Sequence, residues 1–349
     1  ATAISASGAG VTTITAHTDD GLVTSYTSTG GGLKIGAEIG TGVAFTGSAG
    51  TDAVLVGATT KAITMDAGDD SVTMSAALGT GGSIAGGDGT DTLVINVAAS
   101  TFADAAAEPR ITGFEKLTIG TAGNGAYNGA GFESGYKLAG SLTGNSSMTN
   151  AVAGSTIDIV ATTGKTLDIV YADATGTADV ATINLSSAAA LDLDTNADVT
   201  LAGVETINIS LTDTNTTAHA NTLDLDATSA TSVVATGNAG LVMVNAGNVA
   251  ITSFDASGIT TLAVTDNGLT FTSANVTVGA SVTIKGTTGV DALTGHANTN
   301  DTITGGTGVD TIVYTGGTDT FSGGSGNDVF DVNAFGTKTA FLTITDIAD

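Results

Sequence analysis

The sequence predicts an all-β chain wound as a right-handed parallel β-helix or β-roll solenoid, and three observations predict it. The first is a glycine-rich nonapeptide. Gly305-Gly306-Thr307-Gly308-Val309-Asp310-Thr311-Ile312 and Gly323-Gly324-Ser325-Gly326-Asn327-Asp328-Val329-Phe330 both fit G-G-x-G-x-D-x-U, with U a large apolar residue. This is the pattern of calcium-binding β-helix repeats. The second is spacing: between Gly286 and Asp331 the key aspartates fall at 291, 301, 310, 319 and 328, so successive differences are 10, 9, 9 and 9. The third is composition. The 349 residues include 50 Gly, one Pro (Pro109) and neither Cys nor Trp. The formal net charge is −26, yet mean hydropathy is +0.31. Apolar residues alternate with Thr, Ser and Asn rather than with charge, which is β composition and not that of a disordered acidic tail.

The nonapeptide has a physical logic. Its glycine-rich half turns sharply in conformations that only Gly adopts cheaply, and its D-x-U half is a short strand whose apolar residue points inward. Two nonapeptides complete one coil, which places Asp310 above Asp291 (310 − 291 = 19) and Asp319 above Asp301 (319 − 301 = 18). A hard cation then fits between stacked turns, held by two carboxylates and freed backbone carbonyls. Ca²⁺ suits such a site because it takes six to eight oxygens, at roughly 2.3–2.6 Å, in flexible geometry. The expected ligand-bearing positions of the C-terminal block, 285–349, are Gly286, Gly289, Asp291, Asn300, Asp301, Gly305, Gly306, Gly308, Asp310, Gly316, Gly317, Asp319, Gly323, Gly324, Gly326 and Asp328.

Earlier segments follow in order. Residues 1–44 carry alternating runs, Val11-Thr-Thr-Ile-Thr and Gly32-Leu-Lys-Ile-Gly, that read as leading strands of the solenoid, and His17 reads as a surface residue. Residues 45–95 form a first, weaker block. Gly86-Gly87-Asp88-Gly89-Thr90-Asp91-Thr92-Leu93 is a full match, whereas Gly47, Gly50 and Asp52, and then Asp66, Gly68, Asp69 and Asp70, belong to partial ones. Between them Lys61 stands where Asp is required and cannot bind a cation. Counting half coils puts Asp52, Asp70 and Asp91 on one edge, so one row of Ca²⁺ is expected here against two in the C-terminal block.

Residues 96–284 read as an irregular solenoid. A short helix is expected over 96–110, with Ser100 or Thr101 as its N-cap and Pro109 as its terminator. Residues 120–150, with Tyr127, Phe132 and Tyr136, read as a long surface excursion, its aromatics forming either a contact patch or a satellite core. Ile111-Thr-Gly113-Phe114-Glu115-Lys-Leu117-Thr-Ile119 recurs 90 residues later as Leu201-Ala-Gly203-Val204-Glu205-Thr-Ile207-Asn-Ile209. Gly-x-Glu before a strand is a turn signal, and its recurrence argues for structure more than chemistry. From 151 to 284 short runs such as Ile157-Asp-Ile, Leu167-Asp-Ile-Val, Leu241-Val-Met-Val and Leu262-Ala-Val read as strands with unequal loops. Asp173 and Asp179 read as a degenerate nonapeptide turn, which adds Asp179 to the metal positions. Asp192, Asp194, Asn196 and Asp198 begin like an EF-hand loop, but Ala197 replaces its Gly and no Glu stands at position twelve.

Several function classes are disfavoured. Eight Lys+Arg against 34 Asp+Glu argue against nucleic acid and anionic membrane as partners. No apolar run is long enough to insert into a membrane. The histidines at 17, 219 and 296 form no H-E-x-x-H, no G-x-S-x-G elbow occurs, and without Cys there is neither thiol chemistry nor a zinc ribbon. Arg110 is the only arginine, whereas a polysaccharide lyase needs basic residues along its groove. A carboxylate pair for glycoside hydrolysis cannot be told apart from metal ligands. No enzyme activity is expected.

The nonapeptide blocks, interrupted by a Thr/Ala-rich solenoid, resemble the RTX-type surface-layer protein of stalked alphaproteobacteria. The segments TDTNTTAHANTLDLDATSA (212–230), GNAGLVMVNAGNVAITSFDAS (237–257) and VYTGGTDTFSGGSGNDVFD (313–331) carry the likeness most specifically, and it covers essentially the whole chain. The resemblance implies export by a type I secretion system and Ca²⁺-dependent self-assembly into a hexagonal lattice on the outer cell surface. In that family an N-terminal domain anchors to lipopolysaccharide. This chain resembles the lattice-forming C-terminal region, with no recognisable anchor, and it stops at Asp349 where the family continues into its secretion signal. Alternatives are a calcium-stapled module of a secreted RTX adhesin, the non-catalytic β-roll of a secreted RTX enzyme, and an ice-binding solenoid. The last needs Thr-x-Thr ranks that are absent. An adhesin is expected to carry near-identical tandem repeats.

Overall fold

The structure is a computed structural model, and it describes all residues except 1, 17–20, 98–107, 121, 163, 188, 194–198, 214–218, 246, 335–340 and 347–349. The chain divides into two compact units, Ala1–Ser155 and Thr156–Asp349. Each is a parallel β-solenoid, and no α-helix occurs among the described residues. Most strands pair with the next but one in sequence, because successive coils stack strand on strand; around 167–226 some pairing strands are three apart.

In the first unit one sheet orders Thr2–Ala6, Val23–Ser28, Ala44–Ser48, Ala62–Asp66, Ser83–Ala85 and Ile111–Thr112. Another orders Thr12–Ile14, Leu33–Ile39, Ala53–Val56, Ser71–Met74, Thr92–Ile95, Lys116–Ile119 and Gly135–Leu138. Register brings Val54, Val72, Leu93, Leu117 and Tyr136 into one buried row and Tyr26, Phe45, Ile63 and Ile84 into another. These rows are the U positions of the repeat. Stacking puts like on like, so every added coil covers the apolar row that its predecessor leaves open.

In the second unit Thr206–Asp213, Ser232–Gly237, Ser253–Ile259, Ser281–Lys285, Asn300–Thr307 and Asp319–Ser325 are successive rungs of one sheet. Ala220–Asp226, Gly240–Val244, Asn267–Thr272, Val290–Thr294, Thr311–Val313 and Val329–Asp331 are rungs of the other. Ile207, Val233, Phe254, Ile284, Ile303 and Phe321 line up in register on the first sheet, all buried. Across the core Phe254 meets Phe271 with ring centroids 4.3 Å apart. Coil length follows the sequence spacing: Thr302 pairs with Thr320 (320 − 302 = 18) and Ala292 with Thr311 (311 − 292 = 19) in the glycine-rich block. In the irregular part Ile157 pairs with Ile183 (183 − 157 = 26).

The structure corrects two expectations. Residues 120–150 are no excursion: Gly125–Asn128, Gly135–Leu138 and Ser146–Ala151 are rungs, and Tyr127 and Tyr136 are buried among them. A Gly/Asn-rich composition suggested loop, but alternate apolar residues at 136 and 138 meet Leu117 and Ile119 in register, and that burial overrides propensity. Leu262-Ala-Val264 is an exposed turn and not a strand. There Asp266 accepts the Ala263 N–H at 2.6 Å and the Thr261 hydroxyl donates to the Ala263 carbonyl at 2.9 Å, local bonds that compete with strand pairing. Of the helix expected over 96–110, residues 98–107 lie outside the described residues, and Glu108–Arg110 forms a single 3₁₀ turn. The EF-hand-like loop and His17 also fall largely or wholly outside them.

Replacing Phe254 by Ala is expected to destabilise the second unit by about 3–5 kcal/mol, since it opens a cavity against Phe271 that neighbouring rungs cannot close. Urea unfolding followed by circular dichroism checks this.

Candidate cation-binding corners

Strand hydrogen bonds stop where a coil turns, and the N–H at each corner needs another acceptor. In the first unit that acceptor is a carboxylate of the next coil. Asp52 Oδ1 accepts from the Leu33 N–H. Asp70 Oδ1 accepts from the Asp52 N–H at 2.7 Å, Asp91 Oδ1 from the Asp70 N–H at 2.9 Å, and Glu115 Oε2 from the Asp91 N–H at 2.8 Å. The structure thus places Asp52, Asp70 and Asp91 on one corner, and Glu115 extends the ladder beyond the nonapeptides.

The second unit builds the same device twice in its C-terminal part. On one corner Asp291 Oδ1 accepts from the Leu269 N–H, Asp310 Oδ1 from the Asp291 N–H at 2.9 Å, and Asp328 Oδ1 from the Asp310 N–H at 3.0 Å. On the other, Asp319 Oδ1 accepts from the Asp301 N–H at 2.8 Å. Asn300 lies beside this second corner, where its Oδ1 accepts from the Thr318 N–H at 3.0 Å and joins successive coils. Asp179 donates its N–H to Glu205 Oε2 at 2.9 Å.

Each ladder carboxylate has a second oxygen, and its surroundings differ along the row. Asp52 Oδ2 accepts the Ser48 N–H at 2.8 Å, Asp291 Oδ2 the Thr287 N–H at 2.8 Å, and Asp301 Oδ2 the His296 N–H at 2.9 Å. The Oδ2 atoms of Asp70, Asp91, Asp179 and Asp310 are buried with no hydrogen-bond partner. Asp70 is 2% exposed, and Asp91 and Asp310 0%. A buried carboxylate oxygen left in this state is costly unless a cation or a proton meets it.

The glycines keep that space open. A Cβ on Gly305 would overlap Asp310 Oδ2 and the Gly323 carbonyl; one on Gly286 would overlap Asp291 Oδ2 and the Gly305 carbonyl. Gly47, Gly86 and Gly323 stand in the same relation to Asp52, Asp91 and Asp328. The next glycine of the repeat turns the chain: Gly306 has φ +126°, the left-handed region, and packs on the Thr287 carbonyl. Asp66 occupies the corresponding position with φ +77°, a conformation rare outside Gly, and Asp69 Oδ1 accepts the Thr90 N–H at 2.9 Å. Asp66 and Asp88 are exposed on the same glycine turns.

Among the described residues no three His, Cys, Asp or Glu side chains gather around one point. Any cation at these corners is therefore held largely by backbone carbonyls plus one or two carboxylates. That all-oxygen set is hard, which fits Ca²⁺ and disfavours Zn²⁺. The histidines serve elsewhere: His219 Nδ1 lies 3.0 Å from Asp213 Oδ2, and His296 Nδ1 accepts the Asn298 N–H at 3.2 Å. Arg110 donates to the carbonyls of Gly79 and Gly82 at 2.9 and 2.6 Å, a structural role. An apolar cavity of about 440 Å³ opens beside Phe114, Tyr127 and Phe132 in the first unit and carries no convergent catalytic groups.

Electrostatics follow burial. Loss of water pushes Asp70, Asp310 and Asp319 up to about 7 and Asp291 up to about 6, and the stacked neighbours of Asp70, Asp310 and Asp319 push them further the same way. Desolvation also raises Asp91 and Asp301. Sequence reasoning found the aspartates and missed Glu115 and Glu205, although the 90-residue echo held both. The fold and its corners define a parallel β-solenoid with acidic glycine turns. No protein-family model matches the chain, and no curated protein does.

With folded-state values above the ordinary carboxylate value of about 3.9, these groups favour the protonated fold. Their stabilising effect is complete below that value and is lost as pH rises through 6 to 7. In a divalent-free buffer the melting temperature is expected to fall between pH 5 and pH 8. Scanning calorimetry in chelator checks the sign, and a rise over that interval contradicts the picture of buried, uncompensated carboxylates.

Proposed function

We propose that the acidic corners bind Ca²⁺ and that the chain is a structural, non-enzymatic surface-layer protein that assembles with copies of itself into a calcium-dependent lattice on the outside of the cell. The observation that supports calcium binding is a contrast within one fold. At some corners outside the nonapeptides a neutral oxygen caps the N–H: Asn221 Oδ1 for Leu191 at 2.8 Å and Asn248 Oδ1 for Ala227 at 2.6 Å. Capping therefore needs no charge. Aspartate at 70, 91 and 310 buries a second oxygen that no hydrogen bond meets, a desolvation penalty with no structural return unless a cation offsets it.

The role outside the cell follows from the same chemistry. Without Ca²⁺ the stacked carboxylates repel one another and the glycine turns cost entropy, so the repeats stay unfolded in a cytosol poor in calcium. Extracellular modules fill at Kd values of about 10⁻⁴–10⁻³ M, which matches millimolar calcium outside. Bound calcium also offsets the charge of −26 that opposes side-by-side packing of identical subunits. The likeness to RTX-type surface-layer proteins supports the lattice over an adhesin or enzyme appendage.

Titrating the purified chain with calcium, with circular dichroism for folding and light scattering plus negative-stain microscopy for assembly, tests both halves. Millimolar Ca²⁺, but not Mg²⁺, is expected to fold the chain and yield ordered sheets. A chain that folds with calcium and stays monomeric at every concentration removes the lattice and leaves the calcium-stapled module. Asp310→Ala is expected to weaken calcium binding at the turns shared with Asp291 and Asp328 by roughly tenfold or more. No loss of calcium in that variant contradicts the stacking.

A further inference from the structure

The Gly-x-Glu turn that recurs at 113–115 and 203–205 lies outside every nonapeptide, yet Glu115 extends the first unit's ladder and Glu205 caps a corner in the same way. Asp91 and Glu115 are reciprocally joined: Glu115 Oε2 accepts the Asp91 N–H at 2.8 Å, and the Asp91 carbonyl accepts the N–H groups of Glu115 and Lys116 at 3.1 and 3.0 Å. Asp179 and Glu205 repeat every one of these bonds, at 2.9 Å to Glu205 Oε2 and at 3.1 and 3.0 Å from Glu205 and Thr206. Register explains the choice of Glu. Thr92 pairs with Lys116, so Glu115 stands opposite Asp91; the Gly86 N–H donates to the Thr112 carbonyl at 3.0 Å, so Gly113 stands opposite Gly86. Five positions separate Gly86 from Asp91 (91 − 86 = 5), but two separate Gly113 from Glu115 (115 − 113 = 2). The turn is clipped by three residues, and the longer side chain restores the reach to the corner.

Two independent features point to a ligand there. Asp91 is 0% exposed and its Oδ2 has no partner. A Cβ on Gly86 would overlap both that Oδ2 and the Gly113 carbonyl, so the two oxygens face one gap, the relation in which Asp310 Oδ2 and the Gly323 carbonyl face Gly305. Burial raises the Asp91 carboxyl, and the Glu115 charge pushes it the same way.

We propose that Asp91, Glu115 and the Gly113 carbonyl form a calcium site of their own, a second corner motif in which Glu on a clipped turn replaces a nonapeptide; Asp179 and Glu205 repeat its hydrogen bonds, but Ala174 packs on the Gly203 turn where Gly86 leaves the gap open. This rests on the calcium reading of the aspartate corners and extends it to residues that no repeat marks. The site closes the ladder of the first unit at the point where the glycine turns end. A calcium ion there neutralises the last buried carboxylate, which has no further aspartate coil above it.

The test compares Glu115→Gln with Asp310→Asn. Gln and Asn keep an oxygen for the corner N–H and remove only the charge. Each variant is refolded in millimolar Ca²⁺ and its bound ions are counted by equilibrium dialysis; E115Q is expected to hold about one ion per chain fewer than the unaltered protein, or to bind one of them about tenfold more weakly, with the circular dichroism of the calcium-loaded form unchanged. D310N reports on the nonapeptide sites separately. Full calcium binding by E115Q, alongside loss in D310N, overturns this inference and leaves the proposed function standing. Absence of calcium binding by the unaltered chain overturns both. Should E115Q fail to fold, Asp91→Asn, which keeps an oxygen for the Asp70 N–H and removes the charge at the gap, serves instead: it is expected to hold about one ion fewer per chain than the unaltered protein, and a full complement of calcium overturns the site.

Discussion

The whole solenoid depends on how one coil hands its corner N–H to the next. Inside the strands the parallel ladder satisfies the backbone, and inside the core stacked apolar rows exclude water. Neither reaches the corner, where the chain leaves one sheet for the other. A side-chain oxygen from the following coil closes that gap, and because each acceptor belongs to a residue whose own N–H needs the next one, the bonds run as a chain along the corner. Asp52 to Glu115 is the longest such run in the first unit, and Leu269 to Asp328 its counterpart in the second. Register is set there: slipping one coil by a residue would break the corner bond and turn every inward side chain outward.

The corner bond explains why the chemistry of the acceptor can vary while the fold does not. Asn248, Thr288, Glu115 and Asp310 all accept from a corner N–H. What differs is the remaining atom. An amide or hydroxyl leaves nothing charged behind, whereas Asp70, Asp91 and Asp310 leave a buried anionic oxygen. The same backbone device thus carries two kinds of corner, one inert and one that gains from a cation. Folding of the second kind is coupled to whatever neutralises it, protons at low pH or a divalent ion near neutrality.

This coupling bears on assembly. A chain with eight basic and 34 acidic side chains repels its copies; Lys285 with Asp255, at 2.7 Å, is an ion pair that moderates this locally. Cations at the corners would lower the charge where coils are densest in carboxylate while leaving the flat strand faces unaltered. On the proposed reading, structure and charge state change together when calcium binds.

Much of the fold was legible in the sequence because the nonapeptide encodes its own geometry. Glycine marks where φ must be positive, Asp the corner and U the buried row, so the stacking of Asp310 on Asp291 and of Asp70 on Asp52 follows from counting. Composition alone misled at 120–150, where Gly and Asn suggested a loop and Tyr136 proved to be a core residue stacked on Leu117. It misled again at Leu262, an apolar run that a local Asp266 bond holds in a turn. Only the tertiary structure decided that Glu115 extends the ladder and that Glu205 caps the Asp179 corner. Their turns are three residues shorter than the repeat, so no periodicity reveals them; the partner of each is an aspartate one coil away, and that proximity exists only once the coils have stacked.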